Sequence, residues 1–244
     1  MAALIQKVVK MAQQTFSKHT KGALFQEKIT LLSKTMKQVT AADLNFDQEL
    51  VADPTFYKQT SNFAPVVYVP IWEDEIVSIG IFVLKNGVSL PLHDHPNMHG
   101  VCKVIHGTLK VKQYSGAFKS TPHVSTKIPK EITSNFTRLQ IQNYIKEVRP
   151  SQVCEFNTES EPCLLTPTDG NFHEITSLNG PAAFLDILAP PYDYDKGQVC
   201  HYYQEIPIQH QSGQTSDIAW LLEIPQPSEF WCETSSYKGP EILP

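Results

Sequence analysis

The chain has 244 residues, 41% of them hydrophobic, and a formal net charge of -5. That length can bury one sizeable core, and mild acidity without any lysine or arginine block excludes nucleic acid and an anionic membrane as main partners. Five cysteines, odd in number, widely spread and without a CxxC pair, argue against a disulfide framework or a zinc ribbon and fit a reducing compartment.

The first element predicted is an amphipathic helix. Residues 1–26 hold four lysines and no acid, and Leu4, Ile5, Val8, Val9, Ala12 and Phe16 recur at helical spacing. Lys7, Lys10 and paired glutamines interrupt it as a secretory signal, and a mitochondrial presequence would favour arginine and serine. No apolar run reaches the ~20 residues of a membrane span. The expected location is cytoplasmic, with nuclear access open and a mitochondrial location the lesser alternative. A second helical pattern covers 24–38, and "TAAD" (40–43) has capping-box spacing, so a short turn should follow it.

After about residue 64 the texture changes. "VVYVPIW" (66–72), "IVSIGIFVLK" (76–85), "VCKVIHGTLKVKQY" (101–114), "HEITSL" (173–178), "AAFLDIL" (182–188) and "HYYQEI" (201–206) are β-branched or aromatic runs punctuated by turn residues. Residues 115–150 are polar and aperiodic and are expected to leave the sheet as a long excursion. The predicted organisation is a single domain in which a helical segment, 1–63, packs on an all-β sandwich or barrel, 64–244.

"LPLHDHPNMHG" (90–100) concentrates three of the chain's nine histidines. On a strand, His93 and His95 share one face while Asp94 points away, and Pro91 and Pro96 are expected to bound that strand. His173, after a glycine turn in "TDGNFHEI", is the candidate third ligand. Most HxH pairs are surface or hydrogen-bonded residues, but the surroundings are specific. "GVSLPLHDH" from Gly87 matches the G-x5-H-x-H opening of the first cupin motif, with Gly107 closing it. "PTDGNFH" (167–173) resembles the second motif with one extra residue. The expected fold is therefore a cupin double-stranded β-helix, or jelly roll, with short N-terminal helices.

One departure matters. Where the cupin motif carries glutamate, a few residues after the second histidine, this chain has His99 and Gly100. His99 could be a fourth ligand or a packing residue, and packing is favoured. Alternation turns Asp94 and Glu174 away from the metal. Three neutral imidazoles leave a divalent charge uncompensated, which favours an anionic ligand such as a thiolate. Zinc with three histidines doing hydrolysis remains chemically open.

"LPLHDHPNMHGVCKVIHGTLKV", "GPAAFLDILAPPYD" (180–193), "CHYY" (200–203) and "WLLEIPQPSEFWCE" (220–233) resemble the thiol dioxygenase family of animal cysteamine (2-aminoethanethiol) dioxygenases and plant cysteine oxidases. The similarity runs from about residue 64 onward and includes "ADLN" (42–45). It implies a non-haem enzyme with one Fe(II) per chain, held by His93, His95 and His173. With O2, such an enzyme oxidises cysteamine to hypotaurine, or the N-terminal cysteine of proteins to the sulfinic acid, which implies N-degron turnover and a hypoxia response. A monomer is the simplest state. Alternatives are a free-cysteine dioxygenase, for which Arg138 and Arg149 are the scarce candidate carboxylate partners, and a non-catalytic metal- or ligand-binding cupin.

The resemblance also bears on four further residues. Asp186, in an otherwise apolar strand, is either a structural acceptor or an acceptor for a substrate ammonium or for water near the iron, and the resemblance favours the functional reading. Tyr192, in "PPYD", would ordinarily be packing; the resemblance nominates it as an active-site and substrate-binding hydroxyl. Cys200 and Tyr202 are i and i+2 on an expected strand, so they should share a face and could form a thioether crosslink, with His201 facing away. Tyr202 is also expected at the substrate.

Overall fold

The structure, a computed structural model, describes residues 3–60, 62–116, 128–208 and 217–243. Helix α1 (Leu4–Phe16) forms on the predicted stripe, burying Ile5, Val8, Val9 and Ala12. Each such side chain taken fully from water stabilises by about 1.5–3 kcal/mol for the larger aliphatics. Helix α2 (Gly22–Lys37) buries a narrower stripe of Leu32, Thr35 and Met36. The capping residues behave as their spacing requires: the Thr40 amide donates to the Asp43 carboxylate (2.9 Å), and the turn closes through Phe46 N–H to Ala41 O (2.9 Å).

Eleven strands follow: β1 (Val66–Glu73), β2 (Ser78–Leu84), β3 (Ser89–Asp94), β4 (His99–Gly116), β5 (Ile145–Pro150), β6 (Cys154–Asn157), β7 (Cys163–Leu165), β8 (Phe172–Ala189), β9 (Tyr202–Glu205), β10 (Ala219–Ile224) and β11 (Cys232–Thr234). Their order is β11-β1-β2-β8-β3-β9-β10-β5-β4-β6, with β7 on β4 and β4 also paired to β8. The 18-residue strands β4 and β8 run through both layers. The C-terminal half of β8 lies between β2 and β4, its N-terminal half between β3 and β4. This is the double-stranded β-helix of a cupin, all-β apart from its short helices.

"HEITSL" and "AAFLDIL", read from sequence as separate runs, are two halves of one strand. They meet at Asn179 and Gly180, both with positive φ (58° and 145°). Opposite them β4 shifts register around Gly107, whose φ is +69° and where a Cβ would lie 2.4 Å from Pro181 O. Only glycine fits there.

The sheet has two apolar faces. Outside, Ile79, Ile81, Val83, Val101, Leu185 and Ile187 pack under α1 and α2. Inside, Leu90, Leu109, Val111, Ile175 and Phe184 close the space between the layers. The C-terminal segment is tied down by Gln6, which donates to Leu243 O (2.8 Å) and accepts from its amide (2.6 Å).

The stretch 115–150 departs from expectation. Residues 117–127 lie outside the described residues, but helices α3 (Lys130–Thr133) and α4 (Arg138–Tyr144) follow, and β5 then re-enters the sheet between β4 and β10. Only Ile145 and Val148 of that strand are buried, an alternation too short to stand out in a polar sequence. Among the described residues no helix is long and apolar enough to cross a membrane.

Candidate metal centre

Strand β3 alternates as its sequence requires, with Leu90, Leu92 and Asp94 buried on one set of positions. Pro91 does not bound the strand, as was expected; it lies inside it. Without an N–H for the ladder it sits where the β3–β8 register shifts, between Leu90 and His93. That shift sets His93 directly opposite His173 on β8 and opposite Tyr202 on β9. His95 stands just past the strand end, fixed by a backbone clasp: its amide donates to Asn171 O (3.2 Å) and Asn171 Nδ2 donates to His95 O (2.6 Å).

The three imidazoles converge. His173 Nε2 lies 3.0 Å from His95 Nε2 and 3.2 Å from His93 Nε2. Each histidine offers one ligand atom to the cluster, and these atoms all lie within 4.8 Å of one another; among the described residues no carboxylate or thiol joins them. Burial pulls all three rings below the ordinary histidine pKa, and for His95 and His173 the neighbouring rings pull further in the same direction. Neutral imidazoles with nitrogens aimed at one point are the state a metal ion requires. Lone pairs this close repel unless a proton or cation lies between them. The donor set therefore fits a metal, with all protein ligands neutral.

The neighbours are placed as follows. Asp94 faces away from the cluster, its carboxylate accepting from the His201 amide (2.9 Å), His201 Nδ1 (3.1 Å) and the Tyr203 hydroxyl (3.0 Å). His99 begins β4 on the helix side, its ring 5.0 Å from Phe25 and 5.9 Å from Phe16. It is a packing residue, and burial lowers its pKa. Glu174 pairs across the ladder with Lys112, on the side of β8 opposite His173.

Asp186 lies on the inner face of β8, opposite Gly80 on β2 and Cys102 on β4. Burial raises its carboxyl to about 7, offset in part by the Ile187 amide. The Tyr68 ring covers Gly80 so closely that a Cβ there would lie 2.4 Å from it. Tyr192 reaches the cluster through its hydroxyl, 2.8 Å from Asp94 O and 2.8 Å from His95 Nδ1, its ring stacked on that of His95. Cys200 precedes β9 rather than lying on it; its thiol donates to His201 O (4.0 Å) and neighbours the Tyr192 and Tyr202 hydroxyls, and burial pushes it up to about 11. The Tyr202 ring lies 5.9 Å from that of Phe230.

Sequence reasoning missed Asn171, the Pro91 carbonyl, which is 2.7 Å from His93 Nδ1, and Tyr203. A backbone carbonyl leaves no trace in sequence, and an asparagine after a turn glycine reads as turn chemistry alone.

The family model described as PCO_ADO matches residues 35–242. The 2-aminoethanethiol dioxygenase of Mus musculus is 39% identical, covering 100% of this chain and 98% of its own. Plant cysteine oxidase 1 of Arabidopsis thaliana is 25% identical over 98% of this chain and 80% of its own. Among solved structures, a cupin superfamily protein from Desulfitobacterium hafniense is 11% identical, covering 55% of this chain and 84% of its own at a TM-score of 0.33.

Proposed function

Since this chain belongs to the PCO_ADO family, we propose that it is an Fe(II)-dependent thiol dioxygenase. Its substrates would be a small aminothiol such as cysteamine, or a protein whose N-terminal residue is cysteine, with O2 as co-substrate. The observation that carries this reading is the cluster of His93, His95 and His173, two buried ligands and one half-buried, all neutral and, among the described residues, without a carboxylate. Iron held there would supply a Lewis-acid site for the thiolate and a path by which the sulfur's electrons reach O2.

The chain's own residues do the rest. The cluster contributes no negative charge, so the thiolate is the anion that balances the site. Asp186, ionised when a cation arrives, accepts the substrate ammonium and so orients the sulfur. The apolar inner face around Leu90, Val111, Ile175 and Phe184 keeps bulk water from the reacting sulfur. Oxidation ends at the sulfinate, the second rung of the sulfur ladder. For a protein substrate that product is the mark read by N-degron turnover, which would couple the enzyme to oxygen supply and hypoxia. Five free cysteines among the described residues suit a reducing, cytoplasmic setting, with the enzyme acting as a monomer. Cys200 and Tyr202 are proposed to form a thioether during turnover, releasing two electrons and two protons to O2. Peptide mass spectrometry reads this as the loss of two hydrogens.

A free-cysteine dioxygenase would need a cation for the substrate carboxylate. Arg138 opens α4 and Arg149 lies on β5, both exposed and neither on a strand that carries a metal ligand. This favours substrates whose carboxyl is absent or in a peptide bond. The test is anaerobic reconstitution with Fe(II), followed by mass spectrometry of cysteamine, free cysteine and a Cys-initiated peptide after air is admitted. Gain of two oxygen atoms on cysteamine or the peptide is expected. No gain on any substrate would leave a binding module, and gain on free cysteine alone would install the rival.

A further inference from the structure

Tyr192 invites assignment to the substrate, but counting protons around its hydroxyl leads elsewhere. Two acceptor or donor atoms lie at 2.8 Å: the Asp94 carbonyl oxygen and His95 Nδ1. The Cys200 thiol flanks the same hydroxyl but donates to His201 O (4.0 Å). A tyrosine hydroxyl has one proton to give. The Asp94 carbonyl can only accept, so the hydroxyl proton goes there. His95 Nδ1 must then be the donor, sending its N–H to the tyrosine oxygen. That assignment leaves Nε2 of His95 without a proton and facing His173.

His93 is set in the same way by a different device. Its Nδ1 is 2.7 Å from the Pro91 carbonyl, which cannot donate, so Nδ1 carries the proton and Nε2 is bare. Two of the three ligands are thus held in the metal-binding tautomer before any ion arrives. His173 Nε2 faces both bare nitrogens, at 3.0 and 3.2 Å, and without an ion it must carry the proton that keeps them apart. For His173 to ligate a cation through Nε2, that proton would have to leave Nε2 for Nδ1 of the same ring.

We infer that Tyr192 is a positioning residue for the metal, holding His95 in the Nδ1–H tautomer, and not a substrate-binding group. Its hydroxyl is committed: it donates to Asp94, accepts from His95 and has Cys200 on its remaining side. An incoming ammonium finds the hydroxyl proton given to Asp94 and one oxygen lone pair taken by His95, and is left to Asp186. The labour is divided, with Tyr192 governing how tightly the site holds its ion and Asp186 how well it holds the aminothiol. The inference rests on the metal-site reading of Proposed function, but not on turnover.

The experiment pairs Tyr192→Phe with Asp186→Asn in the full chain. Phenylalanine retains the ring that stacks on His95, so the fold, monitored by thermal melting, is preserved. Anaerobic Fe(II) titration is expected to show affinity lowered about 10–100-fold in Tyr192→Phe, the range for groups that orient a ligating histidine, and unchanged in Asp186→Asn. At saturating Fe(II) the aminothiol KM should hold in Tyr192→Phe and rise in Asp186→Asn. Nitrogen NMR of the metal-free chain should give the Nδ1–H tautomer for His95, with that preference lost in Tyr192→Phe. Unchanged Fe(II) affinity with a raised KM in Tyr192→Phe would overturn the inference, as would an Nε2–H tautomer for His95 in the native chain. If the native chain oxidised no thiol while the affinity and NMR results held, Proposed function would fail and this inference would stand.

Discussion

The two faces of strand β8 carry opposite chemistry within one stretch of chain. Outward, Ala183, Leu185, Ile187 and Ala189 belong to an apolar core shared with α1 and α2. Inward, the same strand presents His173, Ile175, Phe184 and Asp186 to the space between the layers. The outer face stabilises by area and packing, and any well-shaped aliphatic of the right volume serves there. The inner face buries groups that cost free energy unless a partner takes them up. Substitutions on the outer face should therefore lower stability and leave chemistry alone, while those of the inner polar groups should lower chemistry without lowering stability.

The largest effect expected is on the inner face. Replacing His93, His95 or His173 by alanine removes a ligand itself, so iron retention and turnover should fall by more than the ~100-fold ceiling known for groups that merely orient ligands. Iron per chain and oxygen uptake measure it, and a variant that kept both would break the comparison outright. On the outer face, Leu185→Ala should cost about 2–5 kcal/mol of stability in denaturant unfolding. Iron stoichiometry in the folded fraction should not change.

Asp186→Asn sharpens the contrast because its two effects run in opposite directions. The folded-state carboxyl is raised from 3.8 to about 7. The native chain therefore binds a proton that the unfolded chain has already lost in this window, and stability falls as pH rises from about 4 through 7. Asparagine removes that penalty, so at pH 8 the variant should be more stable by about 1–3 kcal/mol while oxidising aminothiols less well. The rise in kcat/KM toward pH 7 contributed by Asp186 should flatten in the variant. A variant less stable at pH 8 would show that the carboxylate has a partner that satisfies it. The smallest effect belongs to His99→Ala, which should retain full iron and lose about 0.5–1.5 kcal/mol of ring packing against Phe16 and Phe25; loss of iron would make His99 a ligand after all.

Much of the fold was legible because period-2 alternation and turn residues are local signals. Helices α1 and α2, strands β1, β2, β4 and β9 and both halves of β8 follow from them. The metal trio was legible because HxH within a glycine-framed motif, followed by a second histidine motif, is a rare pattern. Strands β5, β6, β7 and β11 were not, being short, polar or exposed pieces made into strands by the neighbours they pair with. His99 lay at the edge of legibility: beside two ligand histidines in sequence, packing was favoured without a stated partner, and the structure supplies Phe16 and Phe25 of the helices.

The sequence by itself determined which residues could hold a metal, that their charge was neutral, and that a two-layer β architecture would bring them together. Side-chain type and local period carry that information. The tertiary structure alone decided the register that sets His93 against His173, the carbonyl that holds His93 and the hydroxyl that holds His95. Those depend on where a Pro91 bulge, the segment ending in Tyr192 and the Asp94 backbone meet. Hydrogen-bond direction is settled by which atoms have protons to give, and that is a property of neighbours in space that are distant in the chain.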